Sequence, residues 1–424
     1  MNVLLVGGGG REHALAWKLA QSPRLRTLMA APGNPGIAEH ATCAPVKDGA
    51  VDDLVALARR ERPDLVVVGP ELPLSLGLAD RLRAEGIPVF GPGQAAARIE
   101  SSKVFAKELM ARHGIPTAAF RVFTSAPAAR AYCRALGAPV VVKADGLAAG
   151  KGAIVCATLD EADRAVARCL DERAFGDAGR SVVVEEFMTG EEASFFVLSD
   201  GTSSLPFGAA QDHKTIWDGD RGPNTGGMGA YSPPPAFDRA METRAMAEIV
   251  GPTIAALAVE GCPYQGVLYV GLMITAAGPR VVEFNCRFGD PECQAILPRL
   301  DQDLLPLLEA VAAGCGLPAS LAWRREASVC VVAASGGYPG AYDTGVRITG
   351  VEEARRLDGV VVFHAGTARR DGALVTAGGR VLGVQALGRD IGAARDRAYE
   401  AVDRIAFPGM HARRDIGRRA LGRA

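Results

Sequence analysis

From Met1 to Phe90 the chain alternates short, wholly apolar runs with amphipathic helix-length ones, and this rhythm narrows the possible folds more than any other feature. Residues 3–6 and 65–68 (Leu-Val-Val-Val) read as strands, with further short strands at 26–30 and 89–90. Helices are predicted over 11–21, 52–60 and 76–85. Short apolar strands interleaved with helices mean a parallel sheet covered on both faces. Ligands of such sheets collect at the carboxyl ends of the strands. Attention therefore falls on the turns at 7–10 (Gly-Gly-Gly-Gly), 32–36 (Pro-Gly-Asn-Pro-Gly) and 69–71 (Gly-Pro-Glu).

Past this block, a helix over 104–113 stops at Gly114 with Pro116 just beyond, a normal helix end. Strands at 140–143, 153–156 and 181–187, with a helix over 159–170, make a compact α+β lobe. Strands at 193–198, 266–274 and 280–284 and a long helix around 239–260 follow, then a linker near 314–325. The last hundred residues carry strands at 328–334, 360–365, 373–376 and 381–385 and a helix over 391–405. The fold class is thus α/β and α+β, in several domains.

Composition excludes some functions. The 47 basic and 48 acidic side chains of the 424 residues give a formal net charge of −1. With no basic surplus there is no counterion-release drive toward nucleic acid. The longest early apolar stretch, residues 3–6, falls far short of a membrane span or secretory core. A cytoplasmic protein with small-molecule partners, no nucleic acid and no membrane is expected. Nine scattered cysteines form no CxxC pair, so they read as small buried hydrophobes. Lysine is scarce: Lys18, Lys47, Lys103, Lys107, Lys143, Lys151 and Lys214 are the only ones, and the other 40 basic residues are arginine. A lysine beside glycines and acids then marks a place that wants a compact point charge rather than a planar fork. Lys103, Lys143, Lys151 and Lys214 stand in such places.

The run Gly7-Gly8-Gly9-Gly10-Arg11-Glu12-His13 does not fit the dinucleotide fingerprint, because Glu12 or His13 occupies the third glycine position in either frame. Glycines opening a helix suit an anion such as a phosphate monoester; a tight turn without ligand is the alternative. The segment 142–152, Val-Lys-Ala-Asp-Gly-Leu-Ala-Ala-Gly-Lys-Gly, is no Walker loop, since Gly146 and Gly150 are too close and Gly152 stands where Ser or Thr belongs. It reads as a strand ending in Lys143 and a hairpin carrying Lys151, either folding over a polyphosphate or lying plain on the surface. Glu185-Glu186-Phe187-Met188 ends a strand whose backbone suits an adenine edge, with Glu192 placed for a ribose diol. In Val281-Val282-Glu283-Phe284-Asn285-Cys286-Arg287, Glu283 and Asn285 share one strand face. Paired hard oxygen ligands suit Mg²⁺, which completes its shell with water and phosphate. Arg287 extends that face toward a carboxylate or phosphoryl group. The stretches 211–214 and 222–232 form a long, polar, glycine-dense loop. His213 there is either a general base or a packing residue.

Together, Lys103, Lys143, the 146–152 glycines, the Glu185–Glu192 pattern and Glu283-x-Asn285 resemble the ATP-grasp superfamily. The longer strings 9–15, 143–152, 222–232 and 285–292 resemble the phosphoribosylamine–glycine ligase family within it, and the likeness extends to 363–367 and 414–417. The resemblance implies an N-terminal parallel α/β domain (1–101), a two-lobed ATP-grasp core (102–325, with a small lobe at about 117–190) and a C-terminal α+β domain (326–424). It implies a monomer that joins glycine to 5-phosphoribosylamine through glycyl phosphate, at the expense of ATP. ATP contacts are implied for Lys103, Lys143, Gly146, Gly150, Lys151, Gly152, Glu185, Glu186, the Phe187 backbone and Glu192. Mg²⁺ or Mn²⁺ falls to Glu283 and Asn285. The phosphoribosyl part falls to Gly8, Gly9, Gly10, Arg11, Asn34, Pro35, Gly36 and Glu71. Substrate contacts are implied for Asp212, Lys214, Asn224, Thr225 and Gly226, and catalytic roles for Arg287, Lys143 and Asp290. Asp290 either orients the glycine ammonium or braces Arg287.

Two departures stand out, one from the family pattern and one from the wider superfamily. Thr215 replaces the arginine that commonly follows Asp-His-Lys, and Gly271 stands where other ATP-grasp enzymes place a second metal-binding Glu. An ATP-grasp ligase using bicarbonate, or a nucleotide-binding regulator without turnover, is the competing reading. ADP release that depends on glycine separates the first, and tight ATP binding without turnover would favour the second.

Overall fold

A computed structural model of the chain describes residues 1–147 and 152–422. Five parallel strands, β1 (Asn2–Gly7), β2 (Thr27–Pro32), β3 (Thr42–Cys43), β4 (Leu65–Val68) and β5 (Val89–Phe90), form the first sheet in the order β3-β2-β1-β4-β5. Both faces of β4 are buried under helices, which is why its sequence is apolar without alternation. The helix expected over 76–85 is two helices, Glu71–Ser75 and Leu78–Ala84. They break at Gly77, whose φ of +82° lies in the left-handed region that glycine adopts freely.

Strands β6 (Phe120–Phe123), β7 (Val140–Ala144), β8 (Ala153–Cys156) and β9 (Val182–Glu186) build the small lobe as an antiparallel sheet in the order β6-β9-β7-β8. Cys133, Cys156 and Cys169 are buried among its valines and alanines. Burial pushes the Cys156 thiol up to about 12, so these cysteines behave as hydrophobes.

The remaining strands are β10 (Glu191–Asp200), β11 (Ser204–Asp212), β12 (Thr215–Trp217), β13 (Arg221–Asn224), β14 (Gly229–Ser232), β15 (Gln265–Thr275), β16 (Gly278–Asn285), β17 (Ala327–Ala334), β18 (Val360–His364), β19 (Thr367–Arg370), β20 (Ala373–Thr376) and β21 (Arg380–Gly388). Eight of them make one antiparallel sheet, β16-β15-β10-β11-β14-β17-β21-β18. The loop expected over 211–232 is mostly strand: β11 runs to Asp212, β12 and β13 pair as a hairpin, and β14 is buried between β11 and β17. Gly219 and Gly227, both with positive φ, mark bends between strands, not an unstructured loop. The long helix expected over 239–260 is capped by Asp238, whose carboxylate accepts from Met241 N–H at 2.8 Å, and widens into a π turn at Met246–Val250. The unforeseen helix Leu304–Ala313 packs Leu304, Leu305, Leu307, Leu308 and Val311 into the core.

Candidate active site

A cavity of about 620 Å³ opens where the first sheet, the small lobe and the long sheet meet. Its floor is one face of the long sheet. Register places Ser194, Gly271 and Glu283 in one row across β10, β15 and β16, and Phe196, Tyr269 and Asn285 in the next. Side chains two apart on a strand share a face, so Glu283 and Asn285 project together into the cavity. Glu283 forms no hydrogen bond or ion pair among the described residues. Burial pushes its carboxyl up, but Lys103, Lys143, Lys214 and Arg287 together hold it below the usual range. The Asn285 amide oxygen accepts from Arg287 at 3.1 Å and has a second lone pair free. An uncommitted carboxylate beside an amide oxygen fits a hard divalent cation. Among the described residues no group of three or more His, Cys, Asp or Glu could cage one. Such an ion must then take much of its shell from phosphate and water, as Mg²⁺ readily does. A Cβ added at Gly271 would lie 3.4 Å from Glu283 Cγ, so this position supplies room rather than a ligand.

Glu185 bridges two lysines at the foot of the small lobe. Its Oε2 lies 3.0 Å from Lys143 and its Oε1 3.1 Å from Lys107. Lys143 also donates to the Val282 carbonyl at 2.9 Å, which fixes the ammonium beside β16. Burial lowers Lys107 to about 8 against the pull of Glu185. The sequence reading passed over Lys107, although the scarcity of lysine and its place four residues after Lys103 were signals. Lys103 opens a helix capped by Ser102, and its ammonium reaches the Gly146 carbonyl at 3.3 Å. Gly146 does not line the cavity and Gly152 does; Gly150 and Lys151 lie outside the described residues. Strand β9 ends at Glu186, so the Phe187 backbone has no strand partner, and the residue is 40% exposed. The Glu186 carboxylate is taken by Ala119 N–H and Arg280. Glu192 pairs with Lys214, which also meets Asp212 at 3.2 Å.

Arg287 has four partners: Glu100 at 3.0 Å, Glu71 at 3.3 Å, Asn285 and the Phe288 carbonyl. One of its five N–H groups remains uncommitted. Asp290 is braced by Arg380 at 3.3 Å and Gln294 at 2.7 Å, not by Arg287. Burial raises its carboxyl, but Arg380 and Arg11 hold it below the ordinary range.

Arg11 and Glu71 line the cavity, whereas Gly8, Gly9, Gly10, Asn34, Pro35 and Gly36 do not. At the glycine turn the chain's own Glu12 folds back onto Gly9. Its carboxylate accepts from Gly9 N–H at 2.8 Å and Arg11 at 2.6 Å. A Cβ at Gly7 or Gly69 would collide with the Glu12 side chain at 2.5 and 2.2 Å. The Asn34 amide donates to the Gly8 and His364 carbonyls and accepts from Gly36 and Ile37, tying the turn to the last hundred residues.

Asn224, Thr225 and Gly226 reach the cavity from the end of β13. Thr225 donates to the Lys214 carbonyl, and Gly226 bonds Tyr338 and Arg380. The C-terminal segment clasps this hairpin: Arg413 donates to the Thr215 hydroxyl at 2.9 Å and its carbonyl at 3.1 Å. His213 is 1% exposed and stands behind the wall against Tyr231. Burial, aided by Arg419 and Arg413, lowers it to about 3, and it does not line the cavity. Tyr338 and Arg380 had no local signal, since they join the cavity only through long-range pairing.

The sequence matches the families described as Phosphoribosylglycinamide synthetase, N domain, over residues 1–100, its ATP-grasp (A) domain over 101–293, and its C domain over 328–419. A phosphoribosylamine–glycine ligase of Rhizobium meliloti is 55% identical over 423 residues, covering 100% of this chain and 99% of that protein. One from Caulobacter vibrioides is also 55% identical, covering 99% of each. The crystal structure of phosphoribosylamine–glycine ligase from Thermotoga maritima superposes with a TM-score of 0.86 at 32% identity, over 98% of this chain and 100% of that one. A biotin carboxylase–ATP analogue complex from Campylobacter jejuni shares the fold, with a TM-score of 0.73 at 16% identity over 97% and 92%.

Proposed function

The chain belongs to the phosphoribosylglycinamide synthetase (phosphoribosylamine–glycine ligase) family, and from that premise we propose how its cavity performs the family reaction. The protein is an ATP-dependent ligase that joins glycine to 5-phosphoribosylamine in purine biosynthesis. The carrying observation is the uncommitted Glu283 carboxylate, set beside Asn285 and ringed by Lys103, Lys143 and Lys214.

Glycine's carboxylate resists attack because it is an anion and oxide is no leaving group. The reaction then proceeds through glycyl phosphate. A glycine carboxylate oxygen attacks the γ-phosphorus and ADP leaves; the phosphoribosylamine nitrogen then attacks the acyl carbon, phosphate leaves, and the nitrogen gives up one proton to solvent. The first step needs charge neutralisation and alignment more than acid–base chemistry. Glu283 and Asn285 would hold Mg²⁺ or Mn²⁺, which would neutralise charge on phosphate oxygens. Lys103 and Lys143 bring ammonium charge to the phosphates, with Lys143 aimed by Glu185 and the Val282 carbonyl. Arg287 holds the Asn285 oxygen and adds its remaining N–H. Adenine lies at the end of β9 against the Phe187 backbone. The phosphoribosyl part lies where Arg11 and Glu71 approach Asp290, Arg380 and Tyr338.

In this reading residues 1–101, 102–325 and 326–424 are domains that each contribute to one site, and the enzyme works as a cytoplasmic monomer. No helix among the described residues is long and apolar enough to cross a membrane. The decisive experiment is ADP release with ATP, Mg²⁺ and phosphoribosylamine, with and without glycine. Release that requires glycine is expected; release indifferent to glycine overturns the reading.

Lys143→Arg tests the point-charge argument. The Lys143 side chain is buried between Glu185 and Val282, and a longer planar fork cannot keep both contacts. Turnover is expected to fall about 100-fold with the fold retained; unchanged kinetics would show that any cation serves there.

A further inference from the structure

Most carboxylates lining the cavity have a lysine or arginine within 4 Å: Glu185 has Lys107 and Lys143, Glu100 and Glu71 have Arg287, Asp212 has Lys214, and Asp290 has Arg380. Glu283 and Glu292 have none among the described residues. Glu283 is accounted for by the divalent cation. Glu292 is not, and it is only 3% exposed. Arg287 lies within electrostatic range but makes no ion pair with it, and a buried carboxylate without a paired counter-charge is expensive to hold ionised.

The local chemistry points to the ligand. Glu292 Oε1 faces Ser194 Oγ at 3.1 Å and Tyr269 Oη at 2.9 Å, and these hydroxyls lie 2.8 Å from each other. Two protons serve three contacts there, so compensation is incomplete. Oε2 makes no hydrogen bond among the described residues, though the carboxylate lines the cavity. Gly289 leaves space for it, since an added Cβ would lie 2.4 Å from Oε2. The two partner hydroxyls also fix its place on the floor. Tyr269 is registered directly against Asn285, while Ser194 and Glu283 are separated only by Gly271. Two inter-strand spacings, roughly 10 Å, thus divide the Glu292 anchor from the cation-binding carboxylate, and the position between them carries no side chain. That lane fits a short molecule with a positive end and a negative end.

We propose that Glu292 binds the ammonium group of the amino-acid substrate, turning its carboxylate across Gly271 toward Glu283 and the phosphates. This rests on the ligase reading above and adds the residue that distinguishes an amino acid from a plain carboxylic acid. The surplus negative charge is felt nearby: burial, with Glu292 and Glu192, pushes Asp212 up to about 6 despite Lys214.

The test is the kinetics of the full-length enzyme in ADP release, with glycine and with acetate, which is glycine without its ammonium. Glu292→Gln preserves shape and an acceptor for the hydroxyls but removes the charge. The KM for glycine is expected to rise about 100-fold, with the KM values for ATP and phosphoribosylamine unchanged and the preference for glycine over acetate reduced by the same factor. If Glu292→Gln does not fold, Glu292→Asp, which keeps the charge but withdraws it by a methylene, should raise the glycine KM alone by about tenfold. A glycine KM within threefold of wild type, or a rise shared by ATP or phosphoribosylamine, overturns the proposal. A wild-type enzyme whose ADP release ignores glycine would instead sink the ligase reading, so the two failures are distinguishable.

Discussion

Glu283→Ala is expected to lower glycine-dependent ADP release by about 10³-fold or more while leaving the protein folded. Glu283 is the one carboxylate of the proposed cation site, and Asn285 alone offers a neutral oxygen. Its loss removes the negative charge around which Lys103, Lys143, Lys214 and Arg287 gather. Because the carboxylate has no hydrogen-bonding or ion-pair partner among the described residues, alanine strands no donor. The stability change should therefore be small beside the kinetic one. Thermal melting with and without ATP and Mg²⁺ separates the two effects. The variant should melt near the wild-type temperature alone, yet lose the shift that Mg²⁺ adds to that from ATP. Turnover within tenfold of wild type, or an intact Mg²⁺-dependent shift, would remove Glu283 from the cation site.

How much of this was legible depends on the range of the interaction. Leu65-Val66-Val67-Val68 announced a strand buried on both faces because its signal is its own composition. Glu283-x-Asn285 was readable for the same local reason, the two-residue period of a strand. The glycine run at 7–10 is legible as a turn opening a helix, but the carboxylate that takes the Gly9 N–H is not. Glu12, two residues inside the helix, folds back onto the turn with its own carboxylate. Composition cannot tell an anion brought by a ligand from one brought by the chain. The segment 211–232 misled because polar, glycine-dense composition usually means a loop. Here β14 is an interior strand of the eight-stranded sheet, and its burial follows from pairing with β17, about a hundred residues away. Arg380 is 154 residues from the Gly226 carbonyl it binds. No periodicity in the sequence encodes such a contact.

Arg287→Met is expected to destabilise the fold by about 3–5 kcal/mol near pH 8 and by clearly less near pH 5. Arg287 sits between Glu100 and Glu71 at 3.0 and 3.3 Å, and methionine replaces its stem but not its charge. Glu100 would then be buried, and the half-buried Glu71 left, with reduced compensation, the costly half of a broken ion pair. The pH dependence follows from the signs. Burial already raises the Glu100 carboxyl above the usual range despite Arg287. A group so raised contributes stability below the ordinary glutamate pKa, and that contribution is lost as pH climbs through the folded value. Removing Arg287 lifts that value further, so Glu100 opposes folding over a wider range on the alkaline side. Burial also raises Glu71, but Arg287 and Arg11 hold it below its usual value. Its contribution is present above the ordinary range and lost as pH falls through the lowered value. Without Arg287 that depression shrinks, so the variant loses stability at neutral and alkaline pH while losing little in acid. Both groups therefore push the same way, toward a deficit that grows from pH 5 to pH 8. Melting curves at the two pH values measure it. Adding Glu100→Gln to the Arg287→Met chain should recover most of the loss at pH 8, because the amide can still accept from Cys286 N–H, as the carboxylate does at 2.7 Å. A deficit independent of pH, or one that Glu100→Gln leaves untouched, would mean that Arg287 stabilises the fold through packing rather than charge.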